Sequence, residues 1–163
     1  AVYDVAEHAA LNGKRVILNP APAAAVPEHV WKWIDIVTPN EVEAEYYTGI
    51  PVCSGESAEE AAQWFHRRGV RHVIITMGDS GAYLSVNGAG QMVPPFCVTA
   101  VDTTGAGDAF NGGLLAALSE GKDLTQAVVF ASAAAALSVG RIGTAPSMPE
   151  REEILSLLKT VRK

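Results

Sequence analysis

The order of apolar and polar positions divides the chain into alternating helix-like and strand-like stretches. Residues 2 to 12 set Val2, Val5, Ala9 and Leu11 among polar neighbours, a helical stripe closed by Asn12-Gly13. Lys14 to Leu18 is a short apolar run that predicts a buried strand, stopped by Asn19-Pro20-Ala21-Pro22. A short helix is predicted over 27–34, with Trp31 and Ile34 as core residues, followed by a strand over 35–38. The next helix opens at Thr38-Pro39-Asn40 and closes at Tyr47-Thr48-Gly49. Residues 54–57 read as a loop, with Ser57 as a cap for a helix over 58–69. The β-branched run from Arg71 to Thr76 predicts a strand that ends in Met77-Gly78-Asp79-Ser80-Gly81. Gly81 to Val86 predicts another strand, Asn87-Gly88 a hairpin turn, and Gln91 to Val93 its return.

Beyond Pro94-Pro95, Phe96 to Val101 alternates and predicts a strand. A small-residue turn, Gly105-Ala106-Gly107, separates it from a helix over 109–119. Gly121 and Asp123 mark a turn before an alanine-rich helix over 124–141, whose small side chains permit close backbone approach. Residues 140–147 read as a loop, and a last helix over 150–161 carries Ile154, Leu155, Leu157 and Leu158. This alternation predicts one α/β domain over 1–163, with a mainly parallel sheet and helices on both faces.

Candidate chemistry concentrates where the strand prediction meets the glycine turn. Backbone N–H groups at Gly105, Ala106 and Gly107 have no side chain in front of them and open a helix. They therefore face an anion with the positive end of the helix dipole behind them. Asp108 falls in the first turn beside that position. It stabilises the helix start, yet it repels a phosphate unless it has a proton to accept, as from a hydroxyl attacking phosphorus. A Gly-Ala-Gly-Asp turn also serves as a plain connection with an N-terminal acid. The acids Glu41, Glu43 and Glu45 have the same double reading, since a first-turn carboxylate needs no ligand. Thr76 to Gly81 lies beyond the carboxyl end of a predicted strand, where open α/β sheets bind ligands.

Composition narrows the partners. The chain has 163 residues, 48% hydrophobic and 18% charged, with a net charge of −6. Only Arg67, Arg68 and Arg71 cluster among its basic residues, and they read as a solvated face rather than a nucleic-acid surface. No apolar run is long enough to span a bilayer, and no charged leader precedes an apolar segment. These features predict a cytoplasmic protein with no membrane partner, in which Cys53 and Cys97 are reduced, half-buried thiols. His8, His29, His66 and His72 stand singly and read as surface or core residues. Neither a P-loop lysine motif nor a Gly-x-Gly-x-x-Gly opening the first helix occurs.

Asp102 to Leu115 resembles, residue for residue, the C-terminal signature of the ribokinase-like (PfkB) family of carbohydrate kinases. Asn19 to Ala23, Thr38 to Glu45, Thr48-Gly49 and Ser85 to Gly88 resemble the bacterial, ribose-phosphorylating members. The resemblance implies transfer of the γ-phosphoryl group of ATP to the 5-hydroxyl of D-ribose. It implies that Asp108 is the base and that Gly105, Ala106, Gly107 and Asp108 supply the anion hole. Asn40 and Glu43 would arrange Mg²⁺ and water around the nucleotide phosphates, as suits that ion's slow dehydration. Thr76, Gly78, Asp79 and Gly81 would line the nucleotide, and Ser132 would edge the adenine pocket, where the family often has histidine or asparagine. A K⁺ site would use Asp102, the backbone oxygens of Thr104, Ser138, Arg141 and Gly143, and Ser147; without the family, residues 140–147 read as an ordinary loop.

The family's N-terminal half, with most sugar-binding residues and a small β-sheet lid, has no counterpart in these residues. The expectation is therefore the C-terminal half of a sugar kinase whose full-length form is a homodimer. A nucleotide-binding fragment without catalysis, and a kinase for another sugar such as fructose, are the alternatives.

Overall fold

The computed structural model describes residues 1–160; Val161, expected in the last helix, lies outside them. Short apolar runs become strands where the sequence marks them. β1 (Ile17–Leu18), β2 (Ile36–Val37) and β3 (His72–Thr76) pair in parallel, with Ile17 opposite Ile36 and Ile36 opposite His72. β4 (Ala82–Val86) returns antiparallel on β3, with Ile74 opposite Leu84. β5 (Ala89–Val93) follows, and the sheet order is β1-β2-β3-β4-β5. The turn between β4 and β5 has positive φ at both Asn87 (51°) and Gly88 (87°), the combination that matches strand twist in a two-residue hairpin. The result is an α/β fold with a mixed sheet whose first three strands are parallel.

The chain divides into two units, the first comprising Ala1–Met77 with Ala82–Met92, the second Gly78–Gly81 with the chain from Val93 on. In the first, α1 (Val2–Leu11), a 3₁₀ turn over Glu28–Trp33, α2 (Glu41–Thr48) and α3 (Gly55–His66) accompany the strands. Trp31 and Ile34 are buried, as expected. Trp31 meets the edges of Tyr47, Trp64 and Phe65 at 5.3, 5.7 and 5.4 Å between ring centroids, contacts worth about 0.5–1.5 kcal/mol each beyond their area. Val73 and Ile75 join this cluster, and Ile74 on the opposite sheet face is buried too, which explains the unbroken apolar run.

In the second unit, α4 (Ala106–Ser119), α5 (Leu124–Val139) and α6 (Arg151–Thr160) follow one another. A Cβ on Gly113 would lie 3.0 Å from both Ala131 Cα and Ala134 Cβ, so α4 and α5 approach as closely as the small residues allow. Asp123 caps α5 by accepting from Gln126 N–H at 2.8 Å. Arg151 and Lys122 both bind Glu120 at the end of α4 and hold its carboxyl down to about 2.

Several expectations change. Helix α3 starts at Gly55, because Ser54 and not Ser57 is the cap; Ser57 answers it by accepting from Ser54 N–H at 2.9 Å. On α1 the inward residues are Tyr3 and Ala6, whereas Val2, Val5 and Leu11 are exposed. Phe96 to Val101 forms no strand, since among the described residues no neighbouring strand pairs with it, and Val101 is 59% exposed. Cys97 lies on that unpaired segment and Cys53 precedes α3, so both thiols are exposed rather than half-buried. Arg68 is not a solvated charge: its guanidinium stacks 3.5 Å from the Trp64 ring centroid and pairs with Glu28. His66 bridges Val70 O and Ser85 Oγ at 2.8 Å each. His72 has its pKa lowered, by burial first and then by Arg15. No helix among the described residues is long and apolar enough to cross a membrane.

Candidate active site

In the second unit, α4 begins at Ala106, three residues earlier than the composition suggests. Gly105 is its N-cap with φ 81°, a left-handed conformation, and a Cβ there would stand 3.4 Å from the Thr144 methyl. The left-handed cap turns the chain into the helix at once, so the Gly-Ala-Gly turn becomes the first helical turn. Ala106 N–H bonds Thr103 O at 3.2 Å, and Ala109 N–H bonds Gly105 O at 2.9 Å. No side chain caps this helix, and among the described residues the N–H groups of Gly107 and Asp108 have no acceptor. Asp108, the third helical residue, is exposed beside them. Two free donors, a helix dipole and an adjacent carboxylate thus share one exposed turn.

Asp102 holds this turn from behind. One carboxylate oxygen accepts from Thr104 N–H at 2.9 Å and the other from Gly143 N–H at 3.0 Å. These bonds, Gly143's first, lower the Asp102 pKa. The structure therefore joins two segments that the sequence separates by 41 residues. Its own backbone is anchored as well, with Val101 and Asp102 N–H both reaching Val139 O at 2.7 and 3.1 Å. Ser147 is buried and donates its hydroxyl to Thr144 O at 2.7 Å. Ser138 is buried with its hydroxyl on Ala135 O, and its carbonyl accepts from Arg141 N–H at 3.2 Å. Among the described residues no three His, Cys, Asp or Glu side chains converge. The donors expected for a cation here are one carboxylate and backbone oxygens, hard oxygens of the kind that suit an alkali cation.

Also in this unit, Gly78–Ser80 forms a 3₁₀ turn after β3, closed by Gly81 N–H on Gly78 O at 3.1 Å. Gly81 has φ 91°, and a Cβ on it would sit 2.2 Å from Val93 O, so only glycine passes. Asp79 is exposed, and Ser132 is half-buried on α5 between buried Ala131 and Ala133.

In the first unit, Asn40 and Glu43 lock each other. Asn40 Oδ1 accepts from Glu43 N–H at 2.8 Å, and Glu43 Oε2 accepts from Asn40 N–H at 2.9 Å. This reciprocal capping box stabilises the start of α2, which Gly49 closes with φ 72°. Glu43 is buried at 8% exposure, and one of its oxygens is committed to the box. Thr76 lies beside Asn40 through a parallel bridge, with its N–H on Pro39 O at 3.0 Å. The Asn-x-x-Glu spacing is that of a capping box, which the dipole reading of these first-turn acids does not include.

Two residues enter the site that sequence reasoning passed over. Thr144 occupies the space beside Gly105 that a Cβ there would enter. Glu153, on α6, grips the Arg141 guanidinium through both its nitrogens, one at 3.3 Å. No local pattern signals either contact.

Residues 1–151 match the pfkB family carbohydrate kinase model, and the chain belongs to that family. It is 46% identical over 154 residues to the ribokinase of Haemophilus influenzae, covering 94% of this chain and 50% of the relative. The structure is similar to Arabidopsis thaliana ribokinase complexed with ribose and ATP, with a TM-score of 0.90, 36% identity, and coverage of 96% of this chain and 51% of that one. Thermotoga maritima ribokinase matches with a TM-score of 0.87 and 41% identity, over 96% of this chain and 53% of that one. The chain spans about half the length of these relatives.

Proposed function

We propose that these residues are the nucleotide-binding and catalytic part of an ATP-dependent kinase that converts D-ribose to ribose 5-phosphate. The observation that carries the reading is the start of α4: open N–H groups at Gly107 and Asp108 beside an exposed carboxylate. The transferred phosphoryl group builds charge on its equatorial oxygens, and fixed donors at a helix N-terminus stabilise it without reorganising. Asp108 accepts the proton of the sugar 5-hydroxyl as that oxygen bonds to phosphorus and ADP departs. Thr76, Gly78, Asp79, Gly81 and Ser132 bind the nucleotide. Asn40 and Glu43 orient water around Mg²⁺, and the capping box keeps the Glu43 carboxylate from swinging away. Asp102, the backbone oxygens of Thr104, Ser138, Arg141 and Gly143, and Ser147 would hold K⁺, which would add positive charge near the anion turn. The full-length form is a cytoplasmic homodimer in this reading.

A second reading keeps the nucleotide and drops the chemistry. The 163 residues span half of the relatives, and Val2, Val5 and Leu11 on α1 present apolar surface to solvent. The chain by itself then binds MgATP weakly, does not hold ribose, and associates.

Two measurements test these readings. In a full-length form able to hold ribose, Asp108→Asn lowers turnover on the order of 10² to 10⁴-fold while the ATP affinity stays near the parent value. Retention of most turnover removes Asp108 as the base. The 163-residue chain, given ribose and MgATP, makes no ribose 5-phosphate; an ordinary kinase rate of about 1–100 per second would overturn the need for a further sugar-binding part.

A further inference from the structure

Behind the anion turn runs a relay of contacts that reaches the C-terminal helix. Glu153 on α6 binds both terminal nitrogens of Arg141 and also accepts from Glu150 N–H at 2.8 Å, which fixes its carboxylate. Arg141 N–H is bound to Ser138 O, so this residue is held to the end of α5 by its backbone and to α6 by its side chain. Two residues on, Gly143 N–H meets Asp102, whose other oxygen meets Thr104 N–H, next to Gly105. Thr144 borders the cap, its methyl 3.4 Å from where a Cβ on Gly105 would stand. All of these groups belong to the second unit.

We infer that Arg141 and Glu153 form a positioning pair for the anion turn, acting through Gly143 and Asp102 on the N–H groups of Gly107 and Asp108. A bidentate Arg–carboxylate fork fixes angle as well as distance, which a lysine contact would not. Both side chains are partly exposed, at 40% and 38%, so the pair adds little to global stability. Its effect falls instead on the loop it pins. Free to drift, residues 141–144 withdraw the Gly143 donor from Asp102 and the Thr144 methyl from Gly105, and the anion donors lose their fixed direction. The ligand named here rests on the function proposed above; the relay itself does not.

The test uses the 163-residue chain with two readouts. Amide hydrogen exchange at Thr104 and Gly143 reports the relay without ligand, and titration with MgATP reports the anion turn. In Arg141→Ala, exchange at both amides rises roughly threefold to tenfold and MgATP affinity falls by a similar factor, while exchange at Ala131 and Ala134 within α5 is unchanged. Glu153→Gln, which keeps an acceptor for Glu150 N–H, gives the same pattern, and Arg141→Lys recovers only part of it. Parent-like exchange at Thr104 and Gly143 in both Arg141→Ala and Glu153→Gln overturns the inference. If Arg141→Ala does not fold, the exchange of Glu153→Gln decides. Failure of the parent chain to bind MgATP counts against the proposed function, and exchange then decides the pair alone.

Discussion

Helices α2 and α4 begin in opposite ways. At α2, Asn40 and Glu43 satisfy each other's backbone donors, and Ser54 with Ser57 does the same at α3. At α4 the N-cap is a glycine with no side chain, and the donors of the first turn stay open. The closed starts put their hydrogen-bonding capacity into stability, about 1 kcal/mol each. The open start gives up that stabilisation and keeps a fixed, oriented set of donors for something else. Its far end repeats the contrast within one helix, since Glu120 at the end of α4 is bound by Arg151 and Lys122. Helix α1 also starts without a side-chain cap, so what singles out α4 is its open first turn together with the adjacent Asp108 carboxylate.

The comparison breaks first at Gly105. Gly105→Ala forces a side chain into φ 81° and toward Thr144, so we expect a loss of about 1–2 kcal/mol in stability and at least tenfold in MgATP affinity. Thermal unfolding and MgATP titration measure the two, and unchanged affinity would show that the turn does not face the nucleotide. Asn40→Ala removes a cap instead, and should cost about 1 kcal/mol in denaturant unfolding. A loss of Mg²⁺-dependent nucleotide affinity larger than that stability change would give Asn40 a role beyond the capping box.

The smallest effect lies at the closed end of α4. Glu120 is lowered to about 2 by Arg151, then by Lys122, from an ordinary value of 4.5. A depressed carboxylate contributes stability that is present above 4.5 and is lost as pH falls toward about 2. Glu120→Gln should therefore lower the melting temperature slightly near neutrality, where the carboxylate contributes, and flatten the shallow decline between those limits so that parent and variant converge toward about pH 2. An identical pH profile for parent and variant would mean that the contact carries no linkage.

How much was readable in advance varies with the range of the interaction. The apolar run at β3, the Asn87-Gly88 turn, Gly49 behind α2 and the glycine turn before α4 all announce themselves within a few residues. Errors also came from local rivals: Ser54 and Ser57 both qualify as caps, and only the helix start decides between them. Phe96 to Val101 has the alternation of a strand, but strand formation needs a partner, and the described residues offer it none. The sequence named Asp102, Arg141 and Gly143 as neighbours only by resemblance, whereas their contacts cross 41 residues.

By itself, then, the sequence determined the strand at β3, the Asn87-Gly88 turn, the glycine behind α2 and the glycine turn before α4, because φ preferences and hydrophobic period act over one or two turns. The tertiary structure alone decided that α1 turns Ala6 inward, that Asp102 clasps Gly143, and that Glu153 grips Arg141. Those outcomes depend on which distant segments meet, and no property of either segment taken separately specifies the other.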